Sequence, residues 1–307
     1  ILYISGFKIN AGSMTQGEVI SLINYMNQIL LSMYVFANVI VILNKASASY
    51  KRCADVLSQK QDIVQGINEA PSDYQNLITY DHVSFSYYSG NALTDVSFNI
   101  LPGQTIGIIG GTGSGKTTLI NLIPRFYDVT EGEIRIKDLP IKSYKFKDLR
   151  NMIGIVPQQA TLFGGTIREN MQWGNPHATD EEIYEALELS QSKEFVDKMT
   201  EGLDTYIEQG GKNVSGGQRQ RLTIARALVK KPEILILDDS ASALDFATDA
   251  KLRKALSTLN MTVIIVSQRV SALMHADSIV VLSHGEVVGQ GTHDMLINTC
   301  DVYQEIV

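Results

Sequence analysis

Eight consecutive residues, Gly110-Gly111-Thr112-Gly113-Ser114-Gly115-Lys116-Thr117, fit the pattern G-x-x-x-x-G-K-[ST], a loop that wraps the phosphates of a nucleoside triphosphate. Its glycines let backbone N–H groups approach phosphate oxygens that a Cβ would hold off. The Lys116 ammonium can reach the outer phosphates, and the Thr117 hydroxyl suits a magnesium ion. Thr118 joins them as a candidate nucleotide-binding residue. The context fits. Residues 105–109 read as a buried strand, and residues 116–127 as a helix with apolar Leu119, Ile120, Leu122, Ile123 and Phe126. A strand, a glycine loop and a helix N-terminus in succession make an anion site.

Two downstream stretches add chemistry. Ile234-Leu235-Ile236-Leu237-Asp238 is a buried-strand pattern ending in a carboxylate, and in phosphate-loop enzymes such an aspartate helps hold magnesium. Alone it would be weak; below a phosphate loop it is strong. Val214-Ser215-Gly216-Gly217-Gln218 opens another helix. Ser215 with Gln218 fits an ordinary capping box. Two glycines in a first turn, however, each cost about 1 kcal/mol against alanine, which close approach to an anion explains better. The helix then runs through Leu222, Ala225, Leu228 and Val229, with Arg219, Arg221 and Arg226 expected on a solvated face.

The rest of the chain must position these groups. Its 307 residues, 44% hydrophobic, suffice for one large or two modest domains. A net charge of −7 and a pI near 5.3 give no electrostatic reason to expect nucleic acid. Cys53 and Cys300 lie too far apart in sequence to suggest a disulfide framework, and the five histidines show no metal-ligand spacing. Residues 19–44 carry no charge over 26 positions, enough to cross a bilayer. Asn24, Asn27, Gln28 and Asn38 interrupt the run, and the first three can share a face lining a path. Lys45, Lys51 and Arg52 follow, so that end is expected to face the cytoplasm. Residues 1–7 would be the tail of a preceding span and residues 8–18 a short outer loop. The chain opens at Ile1 within an apolar run, without initiator methionine or signal peptide, and is expected to be a fragment. A helix is expected over residues 46–65 and a linker over 66–76. Short β runs at 78–85, 96–100 and 105–109 then lead into alternating strands and helices, an α/β pattern.

Gly110 to Thr117, Gln158, Ser215 to Gln218, Asp238 and Ser242-Ala243-Leu244-Asp245 occur in the order and spacing of ABC transporter ATPases. The chain resembles the C-terminal half of an ABC exporter subunit of the multidrug and lipid type. The resemblance implies a phosphate-loop α/β domain, a mixed sheet with a helical subdomain, over residues 76–307. The end of a transmembrane domain would fill residues 1–45, and a helical extension and linker residues 46–75. It implies ATP and Mg2+ as ligands, with Thr117, Gln158 and Asp238 toward the metal. Tyr87 matches the aromatic that stacks on adenine, with Tyr88 a one-residue alternative. Ser215, Gly216, Gly217 and Gln218 would meet the ATP held by a second subunit, and Asp245 would help join the halves. A multi-pass protein of the cell membrane with a cytoplasmic ATPase domain is expected, carrying a substrate the sequence does not name.

Two positions depart from the family. Its catalytic base is usually Glu directly after the magnesium Asp, where this chain has Asp239; its switch residue is usually His, where Ile265-Val266-Ser267 is followed by Gln268. Asp draws the carboxylate back by one C–C bond, and a misplacement of about 1 Å can lower a rate about 100-fold. Gln donates a hydrogen bond but carries no charge. His275 is expected on a helix surface and is no replacement. Gln209 stands where many relatives have Glu. These departures, with an intact signature, favour the degenerate-site half of a heterodimer. The competing readings are a homodimer with slow Asp-based hydrolysis, a regulatory nucleotide-binding subunit, and a soluble ABC ATPase, against which the run 19–44 speaks.

Overall fold

The computed structural model describes residues 2–59, 63–87, 90–240 and 244–307. It divides into two compact units, Ile1–Asp62 and Ile63–Val307.

The first unit contains α1 (Leu2–Asn10) and α2 (Gln16–Leu57). The loop expected over residues 8–18 is shorter than the sequence suggested, because Thr15 and Glu18 form a capping box that starts α2 early. The Thr15 N–H donates to Glu18 Oε2 at 2.8 Å, and the Glu18 N–H to Thr15 Oγ1 at 3.4 Å. A helix of 42 residues spans roughly 63 Å at 1.5 Å per residue, about twice a hydrocarbon core. Leu30, Leu31 and Phe36 on it are at least 60% exposed. α2 stops at Leu57 rather than near residue 65: the Ser58 N–H caps the Ala54 and Val56 carbonyls, and its hydroxyl bonds to the Asp55 carbonyl.

The second unit is built on two main sheets. β1 (Ile78–Tyr87), β2 (Gly90–Ile100), β4 (Glu131–Ile136) and β5 (Leu139–Pro140) form an antiparallel sheet in the order β2-β1-β4-β5. β3 (Thr105–Gly110), β6 (Ile153–Val156), β9 (Ile234–Asp238), β10 (Thr262–Val266), β11 (Ser278–Ser283) and β12 (Glu286–Gly291) form the other, in the order β12-β11-β3-β10-β9-β6. All its pairings are parallel except β11 with β12. β7 (Gly165–Thr166) and β8 (Tyr206–Ile207) make a small antiparallel pair. The helices are α3 (Lys116–Leu122), α4 (Phe146–Asn151), α5 (Ile167–Gln172), α6 (Asp180–Leu189), α7 (Lys193–Asp197), α8 (Gly216–Leu228), α9 (Phe246–Leu256), α10 (His293–Thr299) and α11 (Asp301–Ile306).

The parallel strands are apolar throughout because both faces are covered. Leu235, Leu237, Val263 and Ile265 enter one core with α5, α6 and α8. Ile234, Ile236, Ile264 and Val266 enter the other with α3 and the antiparallel sheet. The stretch read as a linker is partly stitched to this unit: the Gly66 N–H donates to the Tyr144 carbonyl, and the Asn68 N–H to the Ser143 carbonyl.

Three local expectations are corrected. α3 ends at Leu122, not Tyr127, because Pro124 lacks the N–H that would continue the helix. Arg125 then turns into the left-handed region at φ 55°. Arg219, Arg221 and Arg226 are half-buried rather than solvated. Arg221 lies over Phe195 at 4.8 Å and Arg226 over Phe163 at 5.3 Å, and they donate to the Gln191 and Thr161 carbonyls. Burial pushes both guanidinium pKa values down. His275 sits exposed in a turn after a single 3-10 turn, not on a helix.

Arg125, 3% exposed, is held by Asp128 through Nε at 2.6 Å and Nη2 at 3.0 Å, and also donates to the Lys142 carbonyl. Asp128→Ala leaves a buried cation without its carboxylate, and a loss of about 3 kcal/mol is expected from urea titration with an unchanged slope. Gly115, with φ 99°, has the Ala92 carbonyl oxygen 2.7 Å from where a Cβ would stand. Gly115→Ala combines that contact with left-handed strain and is expected to lower stability by about 1–3 kcal/mol, measured the same way.

Candidate functional site

The site lies along the edge where the parallel strands end. Register fixes this: Val266 of β10 lies beside Asp238 on β9 and beside Ile108 on β3, while Val156 of β6 lies beside Leu237. The residues just beyond these ends are therefore neighbours. Gly110 closes β3 and Gly111 to Gly115 follow it, Gln158 follows β6, Asp239 follows β9 and Gln268 follows β10. In open α/β sheets this edge is where ligands bind.

The glycine loop is shaped for close approach. A Cβ on Gly110 would meet the Leu282 carbonyl oxygen at 2.2 Å and Ser114 Oγ at 2.6 Å. Gly113 takes φ 79°, and Gly115 at φ 99° caps α3 with no side chain in the way. Gly111 and Gly113 have nothing within 4 Å of a built Cβ, so that side of the loop is open. Thr112 is exposed, while Ser114 and Thr118 are buried. The Lys116 ammonium donates to the Gly110 and Gly111 carbonyls, each at 2.8 Å, and lies 3.5 Å from Ser114 Oγ. The lysine is satisfied by its own loop, bonds that a phosphate oxygen can replace.

Charge is concentrated here. Burial lowers the Lys116 pKa, and the Asp238 and Asp239 carboxylates oppose that shift. Burial raises the Asp238 pKa and the Asp239 charge adds to it, while Lys116 and a hydrogen bond from Thr117 pull it back. Asp239 is half-buried at φ 44°, its N–H donating to the Val266 carbonyl at 2.9 Å. Gln158 Nε2 stands 3.5 Å from Asp239 Oδ2. Gln268 is exposed just past the buried Ser267.

Tyr87 reaches the same helix from β1, its hydroxyl 3.4 Å from Thr118 Oγ1, with the residue 39% exposed. The alternative, Tyr88, and residues Ser242 and Ala243 lie outside the described residues.

The signature is not brought to this loop. α8 packs on α5, α6 and β6, whereas α3 packs on β2 and β3. Ser215 caps α8 through a reciprocal pair: the Gln218 N–H to Ser215 Oγ at 3.3 Å, and the Ser215 N–H to Gln218 Oε1 at 2.9 Å. Ser215 and Gly216 are exposed, and Gly217 is half-buried. Asp245 caps α9, accepting from the Thr248 hydroxyl and N–H, bonds that lower its carboxyl pKa. Gln209 is exposed.

The donor set fits the ligands the sequence implied. A carboxylate, a hydroxyl and an amide oxygen at Asp238, Thr117 and Gln158 are hard donors of the kind Mg2+ takes alongside phosphates. Among the described residues no group of three or more His, Cys, Asp or Glu side chains could hold a metal by itself. Sequence reasoning missed two features: the contact of Tyr87 with Tyr127, which lies forty residues away along the chain, and the left-handed backbone at Asp239. The latter had a weak signal, since Asp tolerates that region better than most residues.

Comparison with known proteins finds relatives by sequence and by fold. Residues 93–242 match the ABC transporter family model. The chain is 42% identical over 309 residues to an uncharacterized ABC transporter ATP-binding protein, YfiB, of Bacillus subtilis (strain 168), covering 100% of this chain and 54% of that protein. It is 42% identical over 256 residues to a putative multidrug export ATP-binding/permease protein of Staphylococcus aureus (strain NCTC 8325 / PS 47), covering 82% and 44%. The structure of a bacterial Atm1-family ABC exporter with ATP bound superposes with a TM-score of 0.80 at 31% identity, covering 86% of this chain and 47% of that one. The chain thus spans about half the length of the curated relatives it matches. From the phosphate loop, the strand-end aspartate and these likenesses together, the chain belongs to the ABC transporter family.

Proposed function

We propose that the chain is the ATP-binding part of an ABC exporter subunit, coupling ATP binding and hydrolysis to movement of a substrate across a membrane. The observation that carries the reading is the meeting of Lys116, Thr117, Asp238, Asp239 and Gln158 at one sheet edge. Backbone N–H groups at the start of α3 and the Lys116 ammonium would hold the phosphates. When bound, Mg2+ supplies neutralisation of phosphate charge, with Asp238 and Thr117 facing it. Asp239 and Gln158 would orient the attacking water, and Gln268 would donate a hydrogen bond toward the outer phosphate. Tyr87 would stack on the base.

α2, long and apolar enough to cross a membrane, would carry the chain through the bilayer as the last span of a multi-pass protein. Residues 1–45 would then be the end of a membrane domain, 46–75 an extension and linker, and 76–307 the ATP-binding domain. The exposed signature at Ser215–Gln218 and the Asp245 cap would complete a site on a second subunit. Asp239 and Gln268 support slow hydrolysis in this chain's own site and therefore a heterodimer. One observation favours a homodimer with Asp-based hydrolysis instead: Asp239 is within 3.5 Å of Gln158, at the mouth of the site. A regulatory subunit that binds and rarely hydrolyses ATP would share the same geometry.

ATP binding and turnover of the full chain in detergent, natural against Asp239→Glu plus Gln268→His, separate these readings. The expected result is retained binding and a turnover at least 10-fold below the double variant. Ordinary turnover in the natural chain, with no gain from the double change, would leave the homodimer as the reading. Absence of ATP binding would overturn the function itself.

A further inference from the structure

Tyr87 does not stand alone. Phe85, two residues earlier on the same face of β1 and only 5% exposed, has its ring centroid 4.8 Å from Tyr87 at an interplanar angle of 89°. Tyr127, beyond the end of α3, places its ring 5.5 Å from Tyr87 at 86° and 5.5 Å from Phe85 at 48°. Edge-to-face contact of this kind is a favoured aromatic geometry. Two rings therefore meet Tyr87 nearly at right angles, and the Thr118 hydroxyl meets its phenol.

We propose that Tyr127 is a positioning residue for recognition of the nucleotide base, holding the Tyr87 ring in place before the ligand arrives. The inference rests on the reading of Tyr87 as the ring that stacks on the base. A tyrosine near the end of a strand and 39% exposed would otherwise turn about its side-chain bonds and lose that freedom on binding, which weakens affinity. Tyr127 removes the freedom beforehand. It also ties base recognition to phosphate recognition: Thr118 lies on α3, Tyr127 follows that helix, and both touch the one ring from β1. Phe85 is core and belongs to folding; Tyr127, 42% exposed, is free to serve the ligand.

The test is equilibrium binding of two magnesium-complexed ligands, ATP and inorganic tripolyphosphate, to the full chain in detergent. Natural protein is compared with Tyr127→Ala, Tyr127→Phe and Tyr87→Ala. Tyr127→Ala is expected to weaken ATP about 3- to 10-fold and to leave tripolyphosphate within about 2-fold, since only ATP carries a ring to stack. Tyr127→Phe, which keeps the ring, is expected to bind ATP as the natural chain does. Tyr87→Ala should weaken ATP at least as much as Tyr127→Ala. Equal weakening of both ligands by Tyr127→Ala would mean a damaged phosphate loop and overturn the proposal. So would a Tyr127→Phe as weak as Tyr127→Ala. If Tyr87→Ala weakens ATP while Tyr127→Ala does not, this inference fails alone. If Tyr87→Ala has no effect, the stacking reading fails and takes the inference with it.

Discussion

The structure of the second unit depends on the two-sided burial of its parallel strands. β3, β9 and β10 present alternate side chains to two separate apolar cores, and nearly all of them are fully buried. A slip of one residue in any strand would exchange its side chains between cores of different shape, so register is strongly specified. Parallel direction and register together bring every strand end to one edge, where Asp238 lines up with Val266 and Val266 with Ile108. The phosphate loop, the two aspartates, Gln158 and Gln268 meet there because of packing that none of them takes part in.

That edge holds groups that a core built only for stability would avoid. Lys116 and Asp238 are each 8% exposed. Burial disfavours both charges and shifts both pKa values toward the neutral forms. Their mutual attraction and the loop carbonyls around the ammonium offset part of that cost. Buried charged groups with shifted pKa values at an open strand edge, beside glycines whose Cβ positions are empty or blocked by backbone, point to binding more than to folding.

Much of this was legible in the sequence where local pattern and tertiary demand agree. The strand ending at Asp238 was readable to the residue, since an apolar run closed by a carboxylate has few other uses. The capping box at Ser215 was legible for the same reason. The failures came where a distant partner decides. Arg221 and Arg226 look like a solvated face by spacing, but Phe195 and Phe163 lie against them, contacts that no pattern within α8 announces. The ring cluster at Tyr87 joins residues forty positions apart. The early end of α3 was announced by Pro124, and the apolar spacing through Phe126 concealed it.

Asp239 and Gln268 acquire a joint meaning from the geometry. At φ 44° the backbone of Asp239 lies in the left-handed region, which Asp tolerates better than most side chains. Its short side chain already reaches within 3.5 Å of Gln158. A glutamate there would extend farther into the site, at a cost in backbone strain that a longer side chain does not relieve. The charge balance points the same way. Among the ionisable groups acting on Lys116 and Asp238, two carboxylates stand against one ammonium, and Gln268 adds no charge. A triphosphate, as proposed, would therefore be received mainly by the N–H dipoles of α3, by Lys116 and by the metal it brings. On the proposed reading such an edge would hold phosphates in place, while the short carboxylate and neutral amide would limit what it does to a water molecule. Binding and hydrolysis would then be separable in this chain at the level of two side chains.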